Sequence, residues 1–230
     1  MSRLIAIETA TEACSAALWL DGEIIECYER CPRQHNQKIL GMVEQLLTEA
    51  GLTLSDLDAV AFGRGPGSFT GVRIAAGIAQ GLAFGAQLPV VPVSTLQALA
   101  QAGLKQFPNE PVAVAMDARM GEVYFGCFSA GSTVAVPCSD EQVIAPAKVV
   151  LPDASSWHAV GDGWLLQDGL LTNQFSSQLN RVSSELLPHA ADVVALAADI
   201  YDQQGGVPAE QALPVYLRDQ VVSEPAAAKR

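Results

Sequence analysis

Two strand-forming runs, Cys14–Leu20 and Glu23–Tyr28, flank the dipeptide Asp21-Gly22. This is the strongest short-range signal for a tight antiparallel hairpin, and a hairpin fixes both the direction and the register of its strands. Arg3–Thr9 precedes it as a further strand that runs into a Thr-rich turn. After the hairpin the pattern changes. Gln34–Ala50 reads as a helix with Ile39, Val43, Leu46, Leu47 and Ala50 on one face and Gly51 at its end. Asp58–Gly63 is a short apolar strand, Thr70–Ala86 is helical, Pro89–Val93 is a second apolar strand, and Ser94 caps a helix over Thr95–Gln106. A buried strand after each helix is the mark of an α/β chain with parallel strands, here in the order βββαβαβα.

Near Ala102–Pro108 the pattern restarts. Pro111–Met116 and Val123–Phe128 read as strands joined by the tight connection Asp117–Glu122. Val134–Pro137 and Glu141–Ile144 read as shorter ones, and Pro152–Ser156 as loop. Trp157–Val160 leads into Gly161-Asp162-Gly163. Asp168–Ser184 is polar and follows no period. Ala190–Gln203 is a helix with Val193, Val194, Ala197 and Ile200 inward. The expected division is an N-terminal lobe over 1–102, a second lobe over 103–217 and a tail over 218–230. A length of 230 residues, half of them apolar, suffices for the cores of two such lobes and excludes a disordered chain.

Charge narrows the function classes. The formal net charge is −12, with −4 in residues 1–110 and −8 in 111–230. Phosphate binding rests on Lys and Arg, so this balance argues against a stand-alone nucleic-acid binder. The one basic cluster, Arg30, Arg33, Lys38, Arg64 and Arg73, reads as surface scatter or as a contact to tRNA. Five cysteines, with no CxxC pair and three scattered histidines, point to free thiols in a reducing cytosol and to no zinc site. Glu8 and Glu12 interrupt any signal peptide, and the apolar run Ile74–Ala86 is too short to span a membrane. The expected location is cytoplasmic.

Four segments carry possible chemistry. In IAIETATEACSAA, Glu8, Thr9 and Thr11 stand in a strand-to-hairpin turn, where hydroxyls and N–H groups face phosphate in some nucleotide-binding folds; a polar strand end is the plainer account. GRGPGSFTG, with Gly65, Pro66, Gly67 and Ser68, joins a strand to a helix as phosphate cradles do. It lacks the Lys of a P-loop, the third Gly of GxGxxG and any nearby His for Ser68, so a rigid structural turn competes with anion binding. In the third segment Gly77, Gly81 and Gly85 recur every four residues, each at a cost of about 1 kcal/mol of helix stability. Another backbone must come close, either the protein's own or a partner's. Ile74, Ile78 and Leu82 beside the stripe, Arg73 before it, and Ile39, Met42, Val43 and Leu46 of the preceding helix complete the candidate interface. In MDARMGEVY, Asp117 ends a strand at a loop, a place from which it could contact a nucleotide or metal, and Arg119 with Glu122 reads as a hairpin ion pair. His35 has no second His at helical spacing and is not read as a metal ligand.

IAIETAT, HNQKILGMVEQLL, GRGPGSFTGVRIAAGIAQGLA, PVVPVSTLQAL, MDARMGEVY and PVYLR occur in the order and spacing of the TsaB (YeaZ-like) family, which this chain resembles over nearly all of residues 1–124 and again near Pro214–Arg218. The resemblance implies the two-lobed α/β fold of actin-like ATPases, sugar kinases and heat-shock chaperones. It implies a part in forming N6-threonylcarbamoyladenosine in tRNA as a non-catalytic scaffold or activator subunit. The partner TsaD carries the metal and the catalytic site, the ATPase TsaE joins the pair, and the tRNA is met only through them. It also implies a homodimer in TsaD's absence, through the two helices above. The residues agree: there is no HxxxH metal pattern, and Asp117 is followed by Ala118-Arg119 rather than glycines, so no cofactor or metal is expected and nucleotide binding is in doubt. With neither a metal site nor a triad, peptidase activity has no support. The rival expectation is a small-molecule kinase or ATPase of the same fold using Glu8, Thr9, Thr11, Asp117 and Gly161-Asp162-Gly163.

Overall fold

The structure, a computed structural model, describes residues 2–153 and 156–218. The hairpin signal is met: β2 (Ala13–Leu20) pairs antiparallel with β3 (Glu23–Arg30), and β1 (Arg3–Glu8) pairs antiparallel with β2 on its other side. Strands β4 (Ala59–Gly63) and β5 (Val90–Val93) then add in parallel, giving the order β3-β2-β1-β4-β5.

Alternation along the strands sorts side chains by size. Ile5, Ile7, Leu18, Val60 and Phe62 face helices α1 (His35–Ala50) and α2 (Phe69–Ala86), which cover one side of the sheet. Leu4, Ala6, Ala17, Ala59 and Ala61 face the other side, where the small residues admit α5 (Ala190–Gln204) with its own Ala190, Ala197 and Ala198. Both faces of β1 are therefore buried, as a central strand of an α/β sheet requires. The α5 N-terminus is pinned from the sheet: Ser15 Oγ accepts the Ala190 N–H at 2.9 Å and Glu26 Oε1 accepts the Ala191 N–H at 3.1 Å. A carboxylate there also suits the helix dipole.

The second sheet repeats the design. Strand β6 (Val112–Asp117) pairs antiparallel with β7 (Val123–Ala130), which pairs with β8 (Ala135–Pro137), and β6 continues in parallel to β10 (Trp157–Val160) and β11 (Leu179–Ser183). The order β8-β7-β6-β10-β11 matches that of the first sheet strand for strand, with β9 (Gln142–Ile144) added against β7. Two lobes with one topology are the layout of the actin-like ATPase, sugar kinase and heat-shock chaperone fold. Helix α3 (Thr95–Gln106), capped as expected by Ser94 Oγ on the Gln97 N–H at 3.2 Å, packs on this second sheet through Leu96, Leu99, Ala100 and Leu104. The division drawn at residue 102 falls inside α3, which covers the second sheet, while α5, far beyond it in sequence, covers the first.

The stretch without a period, Asp168–Ser184, holds α4 (Leu166–Gln174) and β11. Its lack of pattern has a physical cause. Gln167, Asp168 and Gly169 are left-handed in succession, with φ of 53°, 56° and 74°, so the first turn of α4 does not repeat at 3.6 residues. Of the expected tail, residues 219–230 lie outside the described residues, while Arg218 is anchored on the fold. Among the described residues no helix is long and apolar enough to cross a membrane.

Candidate functional site

The two N-terminal motifs meet. The turn after β1 is pressed into the loop between β4 and α2, and glycines make the approach possible. A Cβ on Gly63 would overlap the Glu8 carboxylate, one on Gly71 the Thr9 carbonyl, and one on Gly67 would stand 2.7 Å from the Ala10 carbonyl oxygen. Hydrogen bonds hold the contact: Thr9 Oγ1 donates to the Gly71 carbonyl at 2.8 Å and the Ser68 N–H donates to the Ala10 carbonyl at 2.7 Å. Ser68 Oγ in turn caps α2 on the Gly71 N–H, and the Gly65–Pro66 bond is cis. Thr11 Oγ1 accepts the Ala13 N–H at 3.2 Å, closing the turn into β2. The glycine-rich loop is accordingly a structural seat for the Glu8–Ala10 turn, with its groups committed inside the protein.

Glu8 is fully buried. It accepts the Ala10 N–H at 2.6 Å and the Thr95 hydroxyl at 3.1 Å. Burial nonetheless dominates and pushes its carboxyl up to about 7. Between the ordinary value and about 7 the folded protein keeps a proton that the unfolded chain releases, so stability falls as pH rises through that window, by up to about 3 kcal/mol. Glu8→Gln is therefore expected to flatten the decline in melting temperature between pH 5 and pH 7. A parallel decline in both proteins would assign the effect elsewhere.

The second-lobe turn is also committed to internal bonds, but not as the sequence suggested. Arg119 does not pair with Glu122. Its N–H and guanidinium both bind Asp117, at 2.7 Å each, because left-handed Arg119 and Met120 turn the arginine back onto the strand end. Glu122 instead pairs with Arg218, 96 residues along the chain. Asp162 Oδ1 accepts the Asp117 N–H at 2.9 Å, and Gly161 and Gly163 lie against the Ala115 backbone. Both Asp117 carboxylate oxygens, which the kinase reading assigns to a ligand, accept bonds from Arg119, whose side chain is 85% exposed. Between the lobes, Glu141 binds Ser94 Oγ and stands 3.5 Å from Arg64.

The helix pair divides the interface residues into two groups. Ile39, Val43 and Leu46 are core residues beneath α1, in contact with the sheet, and are not available at a surface. The residues that make a helix amphipathic are those it buries. Met42, Ile74, Ile78 and Leu82 are half-buried against the same core. Gly77 and Gly81 are exposed, as is Gly85, and a Cβ on any of the three would meet nothing within 4 Å. The inward stripe of α2 is Ala75, Ala79 and Ala83. Around the open glycines stand side chains the sequence reading passed over: Phe84, 71% exposed, and Phe69, 59% exposed, with the Arg73 guanidinium 3.3 Å above the Phe69 ring. Two exposed Phe residues on the face of an apolar helix were the available signal.

Arg30 pairs with Glu12, Lys38 with Glu29 and Arg64 with Glu141, while Arg73 lies on Phe69, so these four do not form a free phosphate clamp. His35 is buried, and among the described residues no group of three His, Cys, Asp or Glu is placed to hold a metal ion. All five cysteines are free thiols.

Comparison with known proteins places this arrangement. Residues 29–219 match the family TsaD, tRNA N6-adenosine threonylcarbamoyltransferase. The tRNA threonylcarbamoyladenosine biosynthesis protein TsaB of Escherichia coli is 43% identical over 223 residues, covering 95% of this chain and 96% of that protein. The protein of the same name from Haemophilus influenzae is 41% identical, covering 95% and 94%. The solved structure of YeaZ from Pseudomonas aeruginosa superposes with a TM-score of 0.85 at 46% identity, covering 94% of this chain and all of that one.

Proposed function

Since this chain belongs to the TsaB family of tRNA threonylcarbamoyladenosine biosynthesis proteins, we propose that its part in making that nucleoside is non-catalytic, as a scaffold that binds and activates a TsaD subunit. The observation that carries the reading is the open glycine face of α2. Each Gly there gives up about 1 kcal/mol of helix stability and no contact within the chain repays it. A second helix approaching Gly77 and Gly81 does. Half-buried Ile74, Ile78 and Leu82 and exposed Phe69 and Phe84 supply apolar contact around the crossing, as interface cores require. The same face serves a second copy of this chain when TsaD is absent. TsaE joins the TsaD pair, the tRNA is gripped by the partners, and the setting is the cytosol.

The turns support this role from the other side. The Glu8–Ala10 turn is fastened into its glycine loop and Asp117 is closed by Arg119, so neither presents a free ligand set. A net charge of −12 favours a nucleic-acid contact on another subunit. The decisive assay is tRNA modification by TsaD and TsaE with and without this chain. Omission is expected to abolish threonylcarbamoyladenosine formation, and undiminished formation would refute the activator role.

A further inference from the structure

The last described segment crosses from one lobe to the other. At its start the Val215 N–H donates to the Arg64 carbonyl at 2.8 Å, and the Val215 carbonyl lies so close to Gly65 that a Cβ there would meet it at 3.2 Å. Both partners belong to the loop after β4, in the first lobe. Next, the Tyr216 ring settles beside Arg73, 5.2 Å from its guanidinium carbon. Two residues on, Arg218 reaches the β6–β7 connection of the second lobe. Its guanidinium pairs with Glu122, donates to the Arg119 carbonyl at 3.4 Å and stands 3.0 Å from the Met120 sulfur. Three residues of chain span about 10 Å at most. The separation of the two loops is therefore limited by this strap.

The strap has no regular secondary structure, so its backbone is held by these contacts and not by a ladder of its own. Among the described residues, its polar contacts with the second lobe come from one arginine. That ion pair is partly open to water, with the Glu122 side chain 38% exposed, a setting in which a pair is worth about 1 kcal/mol or less. The second tie across the same mouth, Glu141 to Arg64 and Ser94, is likewise polar. Elsewhere between the lobes, α3 and α5 pack on the two sheets through apolar cores. The lobes are thus joined in two ways, by helices packed on the sheets and by polar contacts of small energy.

We propose that residues 213–218 are a latch: the Arg218–Glu122 pair holds the β6–β7 connection to the loop after β4, and its release opens the mouth between the lobes and unseats Tyr216 from the Phe69–Arg73 end of α2. The latch makes the lobe angle and the order of that end of α2 vary together. High ionic strength loosens it, because the pair is partly exposed.

Hydrogen exchange on the full chain, read by mass spectrometry, tests this. Arg218→Ala and Glu122→Gln are each expected to raise exchange about fivefold in residues 117–122 and in residues 64–69, as the loss of about 1 kcal/mol of local closure implies. Exchange in β1 and β4 is expected to stay at the wild-type rate. The charge swap Arg218→Glu with Glu122→Arg is expected to bring both loops back toward wild type. Unchanged exchange in residues 64–69 overturns the latch, because the strap then does not couple the lobes. A rise that spreads to β1 and β4 overturns it as well, because that reports loosening of the whole fold.

Discussion

Gly81→Arg is expected to abolish binding to TsaD and self-association while leaving the protein as stable as before, or slightly more so. The two effects have opposite signs for one reason. Position 81 is an exposed helix interior where a side chain meets nothing within 4 Å, so replacing Gly recovers about 1 kcal/mol of helix propensity. In the proposed interface the same side chain stands where the partner helix comes to backbone distance. Loss of a close crossing at the centre of an interface costs several kcal/mol, about a hundredfold or more in affinity. Co-purification and titration calorimetry with TsaD, sedimentation of the isolated chain, and a thermal melt together read the result. Wild-type affinity in the variant would overturn the interface, and a large loss of melting temperature would show that the face is internal after all.

Gly71→Ala, ten residues earlier on the same helix, is expected to do the reverse. By propensity alone it too gains about 1 kcal/mol. Here, though, the new Cβ overlaps the Thr9 carbonyl oxygen, a backbone atom that cannot swing aside. The first turn of α2 must retreat, and with it go the Thr9–Gly71 and Ser68–Ala10 hydrogen bonds. A net loss of about 3 kcal/mol is expected, from overpacking together with the broken bonds. In a chain of this size that lowers the melting temperature by about 6–12 °C. A melt within 2 °C of wild type, by this scale less than about 1 kcal/mol, would mean that the turn yields freely. One helix thus carries two kinds of glycine, one seating the chain against itself and the other facing outward.

That distinction marks where the sequence stops being legible. Periodicity found α1, α2 and α3 to within a residue, and the Asp21-Gly22 turn and the Ser94 cap are where local chemistry puts them. Local rules work there because the partners are neighbours. The glycine stripe was visible as a stripe, but whether it faced in or out depends on which side of α2 meets the sheet. Ile39, Val43 and Leu46 were drawn into the candidate surface by the same apolar pattern that buries them. Arg119 and Glu122 looked like partners because they are close in sequence, yet a left-handed turn gives Arg119 to Asp117 and leaves Glu122 to a residue 96 positions away. The PVYLR patch near residues 214–218 was noticed, but only the fold shows that it returns to the Arg64–Gly65 loop. Segment 168–184 was opaque because three left-handed residues remove the period that a helix would show.

The exchange of α3 and α5 between the two sheets bears on the order in which the protein is made. A ribosome that has released the first sheet has not yet released its cover, since α5 begins at Ala190. Until then the surface of Leu4, Ala6, Ala17, Ala59, Ala61, Val91 and Val93 faces water on the nascent chain. The first lobe cannot close during its own synthesis, and the second lobe is complete, α3 included, before the first one is. The N-terminal half is therefore expected to finish folding last, with one face of its sheet left as an apolar surface open to aggregation or to capture by a chaperone until α5 arrives.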